Sequence, residues 1–234
     1  LKRIQSQNVT ESEAESVLQN LASILKNAPK PEEESFFLDL GKKLWEQDRN
    51  SIGAIEQYLY AIYLNENCEE AYNRIVEILA REDEYRRARK LSEEAMRRFP
   101  GSGHVYGVRG YLESQHKNYI KAIDYCNKAI ALEKSHWYYN IRGCALWKLN
   151  RRYDALRDFW CSVRIRPKYG AAVKNVKLLC NQIGINEILR LALQKKKEKD
   201  WMQCRMYLEC VLIADWKNET AKAEVAMLKA KGHE

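Results

Sequence analysis

Four residues between Tyr138 and Pro167 carry polar or reactive groups at helical spacing. Asn140, Cys144, Trp147 and Lys148 follow one another at intervals of four, three and one, so they share one stripe of a helix. Tyr139, Leu146, Leu149, Leu156 and Phe159 already supply the apolar contacts that a packed helical hairpin needs. The polar stripe is therefore read as a surface for recognition. Cys144 has Lys148 one turn away, a placement that favours a thiolate. No histidine stands in register to serve as its base, and His104, His116, His136 and His233 form no paired metal-ligand spacing. A glycine-rich phosphate loop is likewise missing. The residues point to binding rather than catalysis, with no cofactor.

The elements that must hold this stripe are helical. The chain has 234 residues with only 10 Gly and 4 Pro, too few for a turn-rich all-β protein. No apolar run approaches the roughly 20 residues that span a bilayer, so no membrane partner is expected. No basic-then-apolar leader opens the chain, and it begins on Leu1, as a domain taken from a longer protein does. The seven cysteines are scattered, odd in number and without a CxxC. They read as small apolar residues in a reducing compartment, which implies an intracellular setting, cytoplasmic or nuclear. The sequons at Asn8 and Asn218 are discounted accordingly.

Charge is segregated. Residues 1–100 hold 15 Lys/Arg against 19 Asp/Glu, and residues 101–234 hold 25 against 13. The whole net charge of +8 thus belongs to the second part, which calls for an acidic protein segment or nucleic acid as partner.

Internal repetition is the strongest signal. Ala54, Ala88, Ala122 and Ala155 recur at spacings of 34, 34 and 33 residues. Seven residues after each stands Ala61, Ala95, Ala129 or Ser162, and twelve or thirteen before stands Gly41, Val76, Gly110 or Gly143. Small residues there let antiparallel helices cross closely, with Tyr58, Cys126 and Phe159 assigned to the space between hairpins. Pro100 and Pro167 follow two of the second helices, as expected past a helix end.

These residues resemble the tetratricopeptide repeat family, whose period is 34 residues. The resemblance covers residues 35–168 as four repeats, the first with an extra residue in its turn, DRNSIGA. It implies an all-α fold, an α-solenoid wound as a right-handed superhelix of antiparallel helix pairs, with about five to six repeats and flanking helices. Beyond Pro167 helices are expected at 170–182, 185–198, 200–214 and 218–231. Residues 169–234 are thus degenerate repeats ending in a cap. Two registers stay open there. One continues 34 residues on from Ala155 to Leu189, and the other takes Trp201, Cys204 and Val211 as marks of a second helix. Residues 1–34 form a separate leading segment. In it Thr10 and Glu13 make a capping-box pattern, and Val17, Leu18, Leu21 and Leu25 form an apolar stripe suited to covering the first repeat or docking on a second copy of the chain.

The resemblance also implies that first helices line a concave groove for a partner segment. The inward places fall on Asn73, Arg81, Tyr111, Gln115, Trp137, Asn140, Trp147, Lys148, Lys174 and Asn181. Asn side chains can orient a peptide backbone, Tyr111 and Trp147 can anchor it, and Arg81, Lys148 and Lys174 can select acidic groups. Members of the family that grip the terminal carboxylate of heat-shock proteins need a clamp of Lys, Asn and Arg. Its places here hold Leu38 and Lys42, then Asn73 with Arg74, then His104 and Val108, so no chaperone clamp is expected. Two further readings remain. RNA or single-stranded nucleic acid could bind Arg151, Arg152, Arg157, Lys195, Lys196 and Lys197, the lysines doubling as a nuclear-import signal. The chain could instead assemble with itself through its terminal helices.

Overall fold

The computed structural model describes residues 34–232, so the leading segment lies outside the described residues. The chain divides into two compact units, residues 1–71 and 72–234. The first contains α1 (Glu34–Glu46) and α2 (Ser51–Leu64); α3 (Glu69–Arg81) begins in it and continues into the second. The second unit goes on with α4 (Tyr85–Arg98), α5 (Gly103–Gln115), α6 (Tyr119–Leu132), α7 (His136–Lys148) and α8 (Arg152–Ile165). It ends with α9 (Gly170–Ile183), α10 (Ile185–Lys197), α11 (Trp201–Ala214) and α12 (Glu219–Ala230).

One turn is used five times. Arg49, Asp83, Lys117, Asn150 and Lys199 all lie in the left-handed region, with φ of 54°, 62°, 61°, 60° and 58°. Each stands two residues before a second helix. The next amide reaches back to the end of the first helix, in the bonds Glu84 N to Leu79 O, Asn118 N to Glu113 O and Arg151 N to Leu146 O, all 2.9 Å, and Asp200 N to Lys195 O, 3.0 Å. In the DRNSIGA turn the same bond runs from Asn50 N to Leu44 O, one residue further. This left-handed closure satisfies carbonyls that a helix end otherwise leaves open.

Above the turn, each pair closes on a small residue. A Cβ placed on Gly41 would lie 2.9 Å from the Tyr58 ring, on Gly110 2.7 Å from Cys126 Sγ, and on Gly143 2.7 Å from the Phe159 ring. Tyr58, Cys126 and Phe159 therefore pack inside their own hairpins, against the glycine of the partner helix, and not between hairpins as their spacing suggested. Leu149, assigned to the apolar contacts, caps α7 at the turn and is 38% exposed.

The register after Pro167 follows from the same marks. Cys204, Leu208 and Val211 hold the fourth, eighth and eleventh places of α11, as Ala122, Cys126 and Ala129 do in α6, and all three are fully buried. Ala192, eighth in α10, is also buried, and α10 packs against α11. The fifth pair is thus α10–α11, and α9 is an additional helix set before it. Gly184 alone separates α9 from α10, with a φ of 100° that only glycine adopts readily. α9 still docks on α8 as a first helix docks on its predecessor, burying Ala172 and Leu179 at its third and tenth places. α12 does the same against α11 with Ala221 and Leu228. Its fourth and eleventh places hold exposed Lys222 and Lys229, a solvated face.

Two buried ion pairs stitch successive pairs together. Arg109 and Glu113 are 4% and 0% exposed. Arg109 donates to Glu113 at 2.9 Å, to Ser92 Oγ at 2.6 Å and to the Arg89 carbonyl at 3.2 Å, joining α5 to α4. Asn118 and Tyr85 add donors to the carboxylate at 2.8 and 3.1 Å. Arg142, at the equivalent place of α7, grips Asp158 through two nitrogens at 2.7 and 2.8 Å and reaches Asn127 of α6 at 2.6 Å. Burial pulls the Arg142 pKa down, but the Asp158 carboxylate outweighs it and the net direction is up.

Two stability measurements check this account. Lys117→Gly should stabilise by about 0.5–1 kcal/mol in denaturant unfolding, since Gly carries no Cβ penalty at positive φ; a neutral or destabilised variant contradicts the turn assignment. Glu113→Gln should cost about 3 kcal/mol, because it strands a buried guanidinium. A loss below about 1 kcal/mol, the range of an exposed pair, would show that the pair is solvated.

Candidate functional site

The stripe Asn140–Cys144–Trp147–Lys148 lies on α7 facing α9. Asn175 Nδ2 donates to Asn140 Oδ1 at 3.0 Å and approaches Cys144 Sγ at 3.6 Å. Seven residues on along both helices, Trp147 Nε1 donates to Gln182 Oε1 at 2.8 Å. The two rungs show that α7 and α9 run parallel and in step. The Trp147 ring also meets Phe159 edge-on, with centroids 6.1 Å apart. Three of the four residues thus bind the neighbouring first helix before they bind anything else. Packing explains most of the stripe.

The Cys144 thiol is not activated. Burial, set against the smaller opposing effects of Asn175 and Lys148, raises its pKa to about 11. The lysine one turn away does not overcome desolvation, so the expected thiolate is corrected to a protonated thiol at neutral pH. The remaining cysteines whose shifts are resolved, including Cys68, Cys126 and Cys180, are also raised, mainly by burial. Among the described residues no group of three or more His, Cys, Asp or Glu is placed to hold a metal ion. None of the described helices is long and apolar enough to cross a membrane.

The other groove candidates separate by exposure. Asn73 is 2% exposed, so it has no surface to offer a ligand, and the ligand-orienting role assigned to it falls. Trp137 is half-buried beside Gly107 and gathers two rings of α5, His104 at 5.7 Å and Tyr111 at 6.0 Å. Arg81, Gln115, Lys148, Lys174 and Asn181 are exposed, as is Leu178, at 46%. Sequence reasoning named these positions through the repeat frame but missed Asn175 and Gln182. Their signal was available, since each lies 35 residues after the partner it bonds.

The basic residues assigned to nucleic acid are largely spoken for. Arg151 and Arg157 share Asp154, at 2.8 and 3.7 Å. Arg152 donates to Asn150 at 2.9 Å. Lys195 pairs with Glu198 at 2.7 Å and Lys196 with Glu224 at 2.6 Å, leaving Lys197 as the exposed cation of that run. The run is also helical, unlike the extended segment that an import signal presents.

Comparison with known proteins agrees with this geometry. No family model matches the chain. A TPR repeat-containing protein of Methanocaldococcus jannaschii, MJ1428, is 27% identical over 146 residues, covering 56% of this chain and 25% of that protein. The chain spans about a quarter of that relative's length. Among solved structures, Pseudomonas aeruginosa pilF is similar with a TM-score of 0.54 and 15% identity, over 86% of this chain and 85% of that one. The thermophilic TPR protein TTC0263 of Thermus thermophilus is similar at 0.53 and 13%, over 85% and 100%. Yeast Tom70 is similar at 0.55 and 16%, over 98% and 44%. The class is an all-helical solenoid of antiparallel pairs. Its repeating unit, with the recurrent turn and the small residues where the helices cross, is similar to that of tetratricopeptide-repeat proteins.

The chemistry of Cys144 can be checked directly. With its pKa at about 11 against an ordinary thiol value of 9.0, the thiolate fraction at neutral pH falls about a hundredfold, and alkylation should slow by at least that factor. Mass spectrometry after iodoacetamide treatment at about pH 7.5 reads it. Labelling of Cys144 as fast as a free peptide thiol would contradict the environment described.

Proposed function

We propose that the chain is a non-enzymatic interaction module that binds a protein segment along the first helices of its second unit. Tetratricopeptide architecture supports a protein-binding scaffold in general. The observation that carries the finer reading is the content of that face. Once Asn140 and Trp147 are used in packing, α5, α7 and α9 still expose Gln115, Lys148, Lys174, Leu178 and Asn181 beside the half-buried rings of Tyr111 and Trp137. Such a mixture of aromatic surface, amide groups and cations suits an extended segment that carries acidic residues.

Nucleic acid is the weaker reading. Phosphate binding draws on free cations, and four of the six basic residues assigned to it are paired with carboxylates within the chain. For self-assembly, α12 offers a face with Lys222 and Lys229 exposed, a poor surface for a second copy.

The test is affinity capture with the full chain, with and without nuclease, using wild type, Tyr111→Ala and Arg157→Glu, each first shown to unfold cooperatively. Partners that resist nuclease, survive Arg157→Glu and are lost in Tyr111→Ala are the expected result. Capture that disappears with nuclease and survives Tyr111→Ala would instead make the second helices the working surface.

A further inference from the structure

The charged groups of the first-helix face are not evenly spread. α7 and α9 contain no Asp or Glu, and the one carboxylate of α5, Glu113, is fully buried against Arg109. Lys148 and Lys174 are exposed, and no carboxylate within the described residues pairs with either. Towards α3 the balance changes. Glu77 lies 3.9 Å from His104 Nε2 and 3.4 Å from Arg74, so an acidic group occupies that end. Between the two ends sit the converging rings of His104, Tyr111 and Trp137. The α9 end adds Leu178, 46% exposed, between Lys174 and Asn181 on the same stripe.

Building on the first-helix reading above, we infer that the segment bound here is bipartite and lies in one direction. A bulky apolar residue rests on the Trp137–Tyr111–His104 rings, and two or more carboxylates on one side of it meet Lys148 and Lys174. The spacing follows from helix geometry. Trp137 and Lys148 are eleven residues apart on α7, roughly 16 Å at 1.5 Å per residue. Lys174 lies one helix spacing away, about 10 Å. An extended chain covers about 3.4 Å per residue, so the carboxylates stand about three to five residues from the apolar anchor.

The additional helix gives this preference its physical source. α9 is tied to α7 by two side-chain rungs and contributes lysines without any acid. A partner that lacks acidic residues leaves Lys148 and Lys174 unmatched. One that has them gains attraction, orientation and a faster encounter.

The test is selection of a phage-displayed random dodecapeptide library on the immobilised full chain, followed by anisotropy titration of the selected peptides made synthetically with a fluorescein label. The expected consensus has a bulky apolar residue with at least two Asp or Glu about three to five residues to one side. Binding should fall about tenfold or more in Lys148→Glu and in Lys174→Glu, as expected when attraction becomes repulsion, and stay within about twofold in Arg157→Glu. Selected peptides without acidic enrichment, yet lost in Tyr111→Ala, would overturn the bipartite ligand and leave the first-helix reading intact. Peptides that respond to Arg157→Glu or Lys197→Glu alone would overturn both, and so would a library that yields no binder.

Discussion

The close crossing within each helix pair is the constraint on which the other features depend. In three pairs the second helix approaches its partner most closely at a glycine in the eighth place of the first helix. Gly41, Gly110 and Gly143 leave no room for a Cβ, because Tyr58, Cys126 and Phe159 already fill the space. This close approach decides where every other side chain points. With the eighth place turned to its own second helix, the third and tenth places face the preceding pair, as Val105 and Leu112 do in α5, each 1% exposed or less. The second, ninth and thirteenth places are left at the surface. His104, Tyr111 and Gln115 in α5 reach the surface for that geometric reason.

The crossing must be held in register, and the five left-handed turns do that at the pair level. Between pairs, the buried arginines act. Arg109 and Arg142 each leave a first helix and reach the preceding second helix, at Ser92 and Asn127. A buried ion pair is seldom a large net stabiliser, because desolvation offsets much of the attraction. Its value is directional. An apolar side chain at either place would pack at many angles, whereas a guanidinium with fixed partners accepts one. The two arginines therefore set how one pair sits on the next, and with it the spacing of the rings and lysines that a ligand meets.

Much of this could be read in the sequence, and the limits have physical causes. The period of 34 residues, the small residues and the helix boundaries follow from packing rules that act locally, and helices expected at 170–182 and 185–198 stand at Gly170–Ile183 and Ile185–Lys197. The register after Pro167 did not follow, because an added helix of 14 residues, Gly170–Ile183, shifts the frame while keeping a first helix's docking residues. Counting from Ala155 reaches Leu189 and fails; counting the places within WMQCRMYLECVLIA succeeds. Which residues share a helix face was legible, but not what their neighbours ask of them. Asn140 and Trp147 look like ligand groups until Asn175 and Gln182 are seen to bond them, and Asn73 looks available until its burial is known. A helical wheel gives the face of a residue, but not the demand its neighbours make on it.

Electrostatics gives the two faces of the second unit different capacities. On the second helices several cations pair with an acid within one turn or on an adjacent helix, as Arg89 with Glu93 and Arg164 with Glu209. Such pairs add little to stability where they are exposed, but they cancel the outward field and so cost the surface its attraction for polyanions. On the first helices the only carboxylate of α5, α7 and α9 is buried and matched. Lys148 and Lys174, exposed there, have no carboxylate partner among the described residues. The net charge of the chain resides in its basic half, and Lys148 and Lys174 are among the exposed cations there that have no carboxylate partner. Bulk composition overstates the case for nucleic acid for this reason. What selects a ligand is the charge left uncompensated after folding, not the sum over the chain.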